Sequence, residues 1–120
     1  MKAYLAGPMT GHKDLNFPAF HRWAAELREA GHEIVNPAEI NGGDDELAAC
    51  ASMTPEQMAE HWKACMRRDI AELVTCEGIY MMPGWEGSRG AHLEHYIARA
   101  LGLKVTYLVD RALIAVGAME

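Results

Sequence analysis

Absences narrow the field before any residue is given a role. The chain of 120 residues has only three cysteines, and Cys50, Cys65 and Cys76 are too widely spaced for a CxxC pair. They read as reduced thiols of a cytoplasmic protein, two of them on a helix, rather than as a disulfide framework. The six histidines form no HExxH or Cys/His ligand pattern. His92 and His95, three apart, could share a helix face, but nothing around them has metal-ligand spacing, and neither metal nor cofactor is expected. No apolar run approaches the ~20 residues of a membrane span, and the first residues lack the charged and apolar regions of a signal peptide, so no membrane association is expected. Positive charge is scarce too, with 11 Lys and Arg against 17 Asp and Glu and a net charge of −6. That argues against gripping duplex nucleic acid through a broad basic surface, while leaving room for one nucleotide in a local pocket.

What is present is a core. Half the residues are hydrophobic, enough for one domain over residues 1–120 to fold without disulfide or metal. Lys2–Ala6 is an apolar run ending at Gly7-Pro8, the pattern of a buried strand entering a loop. Asn16-Phe17-Pro18 starts a helix, with Asn16 suited to the N-cap and Pro18 to the first turn; Phe20, Trp23, Ala24 and Leu27 recur at helical spacing, and Gly31 stops it. Glu33–Asn36 is a second strand closed by Pro37. Ala38–Met53 shows weak periodicity and reads as a mobile excursion with a short helix around Glu46–Ala51; its part from Asn41 to Met53 is a candidate lid. Thr54-Pro-Glu-Gln57 is a capping box with proline at the first helical position, predicting a helix to about Thr75. Gly78–Met82 is a third strand, Pro83–Gly90 a loop, Ala91–Leu101 a helix stopped by Gly102, and Lys104–Val109 a fourth strand. Arg111–Val116 is expected to be helical, packed on the domain or on a second subunit. Met53, Met58, Met66, Met81 and Met82 read as packing residues.

Strands alternating with helices imply an α/β fold: a Rossmann- or flavodoxin-like three-layer sandwich around a parallel sheet of four to five strands, in order 2-1-3-4. Ligands of such sheets bind beyond the carboxyl ends of the strands where the order reverses, here between strands one and three. The glycine-rich loops Gly7–Gly11 and Pro83–Gly90 follow those same two strands.

The stretch Ser88-Arg-Gly-Ala-His-Leu-Glu94 is the most informative chemically. Gly87 and Gly90 let backbone approach a ligand, and the helix start behind them aims unpaired N–H groups at it, an arrangement that favours anions such as phosphate. Ser88 adds a hydroxyl and Arg89 a charge. Glu94 sits near the first turn, where the helix dipole should help keep it ionised, and an ionised carboxylate is what covalent glycosyl transfer needs. Taken alone, Glu94 is explained better by the ordinary placement of an acid near a helix start. Asp69, on the helix before strand three, either faces the crevice and assists a leaving base or pairs with a neighbouring arginine in solvent. Tyr4 is a core tyrosine or, if it faces the crevice, a group that orients Glu94. Trp85 is a loop anchor or an aromatic wall for a base.

At these residues the chain resembles the nucleoside 2-deoxyribosyltransferase-like superfamily, in particular its small, often phage-associated branch. The resemblance spans nearly the whole chain through Tyr4-Leu-Ala-Gly-Pro-Met-Thr-Gly11, Asn16-Phe-Pro-Ala-Phe20, Val35-Asn-Pro-Ala-Glu39, Met66-Arg-Arg-Asp-Ile70, and the run from Pro83 to Ala91 with Leu93 and Glu94. It implies Glu94 as nucleophile, Tyr4 as the tyrosine that positions it, and Asp69 as the aspartate that assists the base. It also implies substrate contacts from Gly7, Pro8, Met9, Thr10, Trp85, Ser88, Arg89 and Gly90. Ser88 stands where related deoxynucleoside 5′-monophosphate N-hydrolases carry a phosphate-binding serine, and Thr10 where they carry an arginine. The function so implied is cleavage of the N-glycosidic bond of a (deoxy)nucleoside or its 5′-monophosphate, by hydrolysis or base exchange, in a homodimer or larger homo-oligomer. Two other readings stay open: a module that binds a nucleotide or NAD-derived ligand without chemistry, and a phosphoribohydrolase-like enzyme acting on ribonucleotides.

Overall fold

In the computed structural model, residues 1–40 and 43–109 are described. The first strand, β1 (Lys2–Ala6), is a run of small and large apolar side chains flanked by nothing that would favour a helix, and it is buried along nearly its whole length. It pairs in parallel with β2 (Glu33–Val35) on one side and β3 (Gly78–Met81) on the other, and β3 pairs in parallel with β4 (Lys104–Tyr107). The order is therefore β2-β1-β3-β4, as the sequence reading expects. The described residues give four strands, the lower of the two numbers expected.

Alternation along β1 divides the core into two layers. Ala3 and Leu5 point to one face and pack with Phe17, Phe20 and Ala24 of α1 (Phe17–Glu29). Tyr4 and Ala6 point to the other face, among Leu73, Ile79, Met81, Ala91 and Ala98. The helices covering that second face are α4 (Pro55–Leu73) and α5 (Arg89–Ala100). The sheet is thus a sandwich filling, and chemistry that involves Tyr4 belongs to the α4–α5 side.

Several boundaries differ from the sequence reading. Asn36 does not extend β2: its carboxamide oxygen accepts the backbone N–H of Ala38, and α2 (Pro37–Ile40) follows at once. The excursion after Ala38 is consequently more helical than expected, since α3 (Asp44–Cys50) also starts earlier than Glu46. Asn16 precedes α1 but does not cap it. Its side-chain amide donates instead to the carbonyl of Pro8 at 2.9 Å, tying the loop after β1 to the helix start. Asp14, Leu15 and Asn16 all adopt left-handed backbone (φ 51°, 51° and 61°). Such a run of non-glycine residues costs roughly 1–2 kcal/mol per residue. The capping box at Thr54 forms as expected, with both reciprocal hydrogen bonds present. Helix α5 begins two residues earlier than Ala91, at Arg89, with the Ser88 hydroxyl accepting from the Ala91 N–H. The expected helix at Arg111–Val116 and the apolar tail Ala112–Met119 lie outside the described residues. Among the described residues, no helix is long and apolar enough to cross a membrane.

Candidate active site

Beyond the carboxyl ends of β1 and β3 lies a cavity of about 80 Å³. It sits at the reversal of strand order, where a doubly wound sheet opens a crevice. Three elements each contribute a buried polar group to it. Tyr4 comes up from β1, Asp69 from the last third of α4, and Glu94 from the second turn of α5, and all three line the same space.

Tyr4 is fully buried and Glu94 is 4% exposed. The Tyr4 hydroxyl donates a short hydrogen bond to Oε2 of Glu94, joining residues 90 positions apart. This fixes the carboxyl in one orientation at the cavity wall. Burial also changes its acidity. Loss of hydration pushes the Glu94 pKa up to about 8, the nearby Asp69 charge pushes the same way, and the Tyr4 hydrogen bond opposes both. Glu94 does not sit in the first turn, where the helix dipole acts most strongly, so desolvation outweighs that field. The expectation that the dipole keeps Glu94 ionised is thereby corrected: buried at the cavity wall, the group holds a proton near neutral pH. The Tyr4 hydroxyl is likewise held well above its ordinary pKa, chiefly by burial and then by the Glu94 charge. It stays a hydrogen-bond donor across the accessible pH range.

Asp69 is 6% exposed, which excludes the reading of a solvated surface acid. Met58, Trp62, Cys65, Met66 and Asp69 all line the cavity, at the spacing of one face of α4. A carboxyl at the end of that otherwise apolar stripe is the signal in the sequence that points to Asp69, and it also marks Met58, Trp62 and Met66 as wall residues that sequence reasoning passed over as packing or left unassigned. His61 and Cys65 are further members, with the Cys65 sulfur 3.3 Å from His61 Nε2 and 3.4 Å from an Arg68 nitrogen. Leu15, from the left-handed run, also lines the cavity, with Phe17 and Phe20 of α1.

The loop residues divide. Gly7, Met9, Thr10, Ser88 and Gly90 line the cavity. At Gly7 a side chain is excluded, because a Cβ there would lie 2.7 Å from the Met82 sulfur and 2.8 Å from its Cβ. Pro8 is buried beside the cavity, where its carbonyl receives Asn16, and is not part of the lining. Arg89 lines a neighbouring cleft rather than the cavity, its guanidinium 4.2 Å from the Trp62 ring centroid. Trp85 turns away altogether. Its ring packs on His95, His92 and Tyr107 at centroid distances of 4.4, 5.0 and 6.0 Å, so of its two readings the loop anchor is the one this geometry fits. His95 hydrogen-bonds the Tyr107 hydroxyl at 2.8 Å in the same cluster. No group of three or more His, Cys, Asp or Glu side chains among the described residues is placed to hold a metal ion.

Two buried carboxyls in one cavity, one of them aligned by a tyrosine, form a set that can present an oxygen nucleophile on one side and a proton on the other. No curated protein matches the chain. A family profile described as a domain of unknown function (DUF4406) matches residues 1–107, a span that contains every residue of the cavity. The chain belongs to the DUF4406 family of domains of unknown function.

Proposed function

We propose that this protein cleaves the N-glycosidic bond of a nucleoside or nucleoside 5′-phosphate, with Glu94 as nucleophile. The observation that carries this reading is the buried Tyr4–Glu94 hydrogen bond at the wall of a cavity that also contains Asp69. Hydrolysis of a glycosidic bond needs a fixed carboxylate oxygen facing the anomeric carbon and a second group serving the leaving atom. In the first step an oxygen of Glu94 bonds to C1′ as the C1′–N bond breaks, its electron pair passing to the base, which Asp69 protonates or hydrogen-bonds. In the second step water, or another base, attacks C1′ as the C1′–O bond to Glu94 breaks and its electron pair returns to the carboxylate; the proton that the water loses passes to Asp69. The developing positive charge on the sugar favours the ionised carboxylate, offsetting the desolvation that otherwise keeps Glu94 protonated, and the proton Glu94 gives up is the one that Asp69 passes to the base.

The assay is incubation with ribo- and deoxynucleosides and their 5′-monophosphates, followed by chromatography for released base. Wild-type protein is expected to release base from at least one of them. Glu94→Gln, which keeps shape and the tyrosine partner, is expected to lose that release by more than the ~10²–10⁴ of a general acid or base alone. Comparable release by wild type and Glu94→Gln would remove Glu94 from the role. A second base added to the same tubes separates transfer from hydrolysis.

The raised pKa of Glu94 supports a second reading, a binding module in which a neutral carboxyl donates to a sugar hydroxyl. A ligand bound tightly and recovered intact after long incubation is the result that favours it.

A further inference from the structure

A second hollow, a cleft of about 430 Å³, adjoins the cavity and shares Thr10, Met58, Trp62, Ser88 and Gly90 with it. The two are therefore connected, but their chemistry differs. Asp69 and Glu94 line only the inner space. Among the described residues, the charged groups lining the outer cleft are Lys63 and Arg89, both cationic in a chain whose net charge is −6. A local reversal of sign in an acidic molecule draws anions to that place. Neither cation is locked. The Lys63 ammonium lies 2.9 Å from Glu60 in a well-exposed pair, which contributes little and exchanges readily. The Arg89 guanidinium rests on the Trp62 ring, a contact it can trade for a phosphate without leaving the cleft.

The outer cleft is the larger and more open of the two hollows, and it continues past Ser88 and Gly90 to Lys63 and Arg89, leaving room beyond a terminal phosphoryl group. We infer that the outer cleft takes the anionic extension of a nucleotide whose 5′-phosphate is itself esterified to a second group. This rests on the nucleotide reading of Glu94. With C1′ held at Glu94, the 5′ side of the sugar leads past Ser88 into the cleft, where Lys63 and Arg89 flank the phosphate linkage. The Trp62 face released by Arg89 then offers a stacking surface to a planar group beyond it. A pyrophosphate-linked dinucleotide and the 3′-terminal unit of a short single strand share this chemistry.

Titration calorimetry on full-length Glu94→Gln tests it. For each common base, in both ribo and deoxy form, four ligands are compared: the nucleoside, its 5′-monophosphate, a 5′,5′-pyrophosphate-linked dinucleotide, and a 3′,5′-linked dinucleotide carrying the same unit at its 3′ end. At least one extended ligand is expected to bind ~10-fold or more tighter than the monophosphate. Which extended ligand does so identifies the source. Lys63→Ala in the same background is expected to cut that advantage at least ~3-fold, and raised salt to cut it further; Lys63 is exposed, so its loss leaves the fold intact. Monophosphate binding equal to or tighter than both extended ligands overturns the inference while leaving the nucleotide reading standing. Failure of all four to bind, for every base, removes the nucleotide reading and the inference with it.

Discussion

Glu94 carries an acid group that is almost wholly buried, and that placement has a thermodynamic signature separate from any activity. Below about pH 4.5, its ordinary pKa, the carboxyl is protonated in folded and unfolded chains alike. Between there and about 8 the folded protein keeps a proton that the unfolded chain has released. Stability contributed by this group is therefore full at acid pH, falls as pH rises through that window, and is lost above it. A glutamine needs no proton and can still accept from Tyr4. Glu94→Gln is accordingly expected to be more stable than wild type at pH 9 by about 1–3 kcal/mol, with little difference at pH 4. Urea melts at both pH values check this, and parallel pH dependences for the two proteins would refute it. The residue scale is also where the sequence was most ambiguous. Glu94 and Tyr4 enter as candidates through resemblance and local pattern, yet nothing in spacing shows that one hydrogen-bonds the other. Trp85 had two readings, and only the positions of His95 and Tyr107 separate them.

Elements were legible where their determinants are local. The Thr54–Gln57 capping box is contained in four residues, and it forms, with the Gln57 N–H 3.1 Å from the threonine hydroxyl and the Thr54 N–H 2.8 Å from the glutamine oxygen. Thr54→Ala is expected to cost about 1 kcal/mol, seen as a lower urea midpoint at unchanged slope. An unchanged midpoint would show that α4 is held by its packed face alone. The start of α1 misled because its determinant is not local. Asn16 has the right side chain for a cap but uses it on Pro8, and the chain accepts three left-handed residues to bring Leu15 to the cavity wall. The short helices α2 and α3 were obscured for a related reason: four and seven residues are too few to establish a hydrophobic period.

At the scale of the whole molecule the order β2-β1-β3-β4 was readable, since each apolar run is punctuated by Gly or Pro and right-handed crossovers leave few arrangements. What the order implies for local stability is testable by hydrogen exchange. β1 and β3 are each paired on both sides, whereas no described side chain of α3 is buried. Backbone amides of β1 and β3 are expected to exchange slowest, and those of α3 at least ~100-fold faster. Equal protection of α3 and β1 would mean that α3 opens only with the whole fold, which would rule it out as a separately moving lid.

The hydrogen bond between Tyr4 and Glu94 also has a consequence in time. Glu94 lies 90 residues after Tyr4 along the chain, so synthesis delivers it roughly 5–20 s after its partner at ordinary rates. For most of that interval β1 lacks its neighbour β3, and for all of it Tyr4 lacks the carboxyl that receives its hydroxyl. The two halves of the pair meet only when α5 docks, so any reactivity of the site is switched on by the completion of folding, and a prematurely terminated chain is born without it.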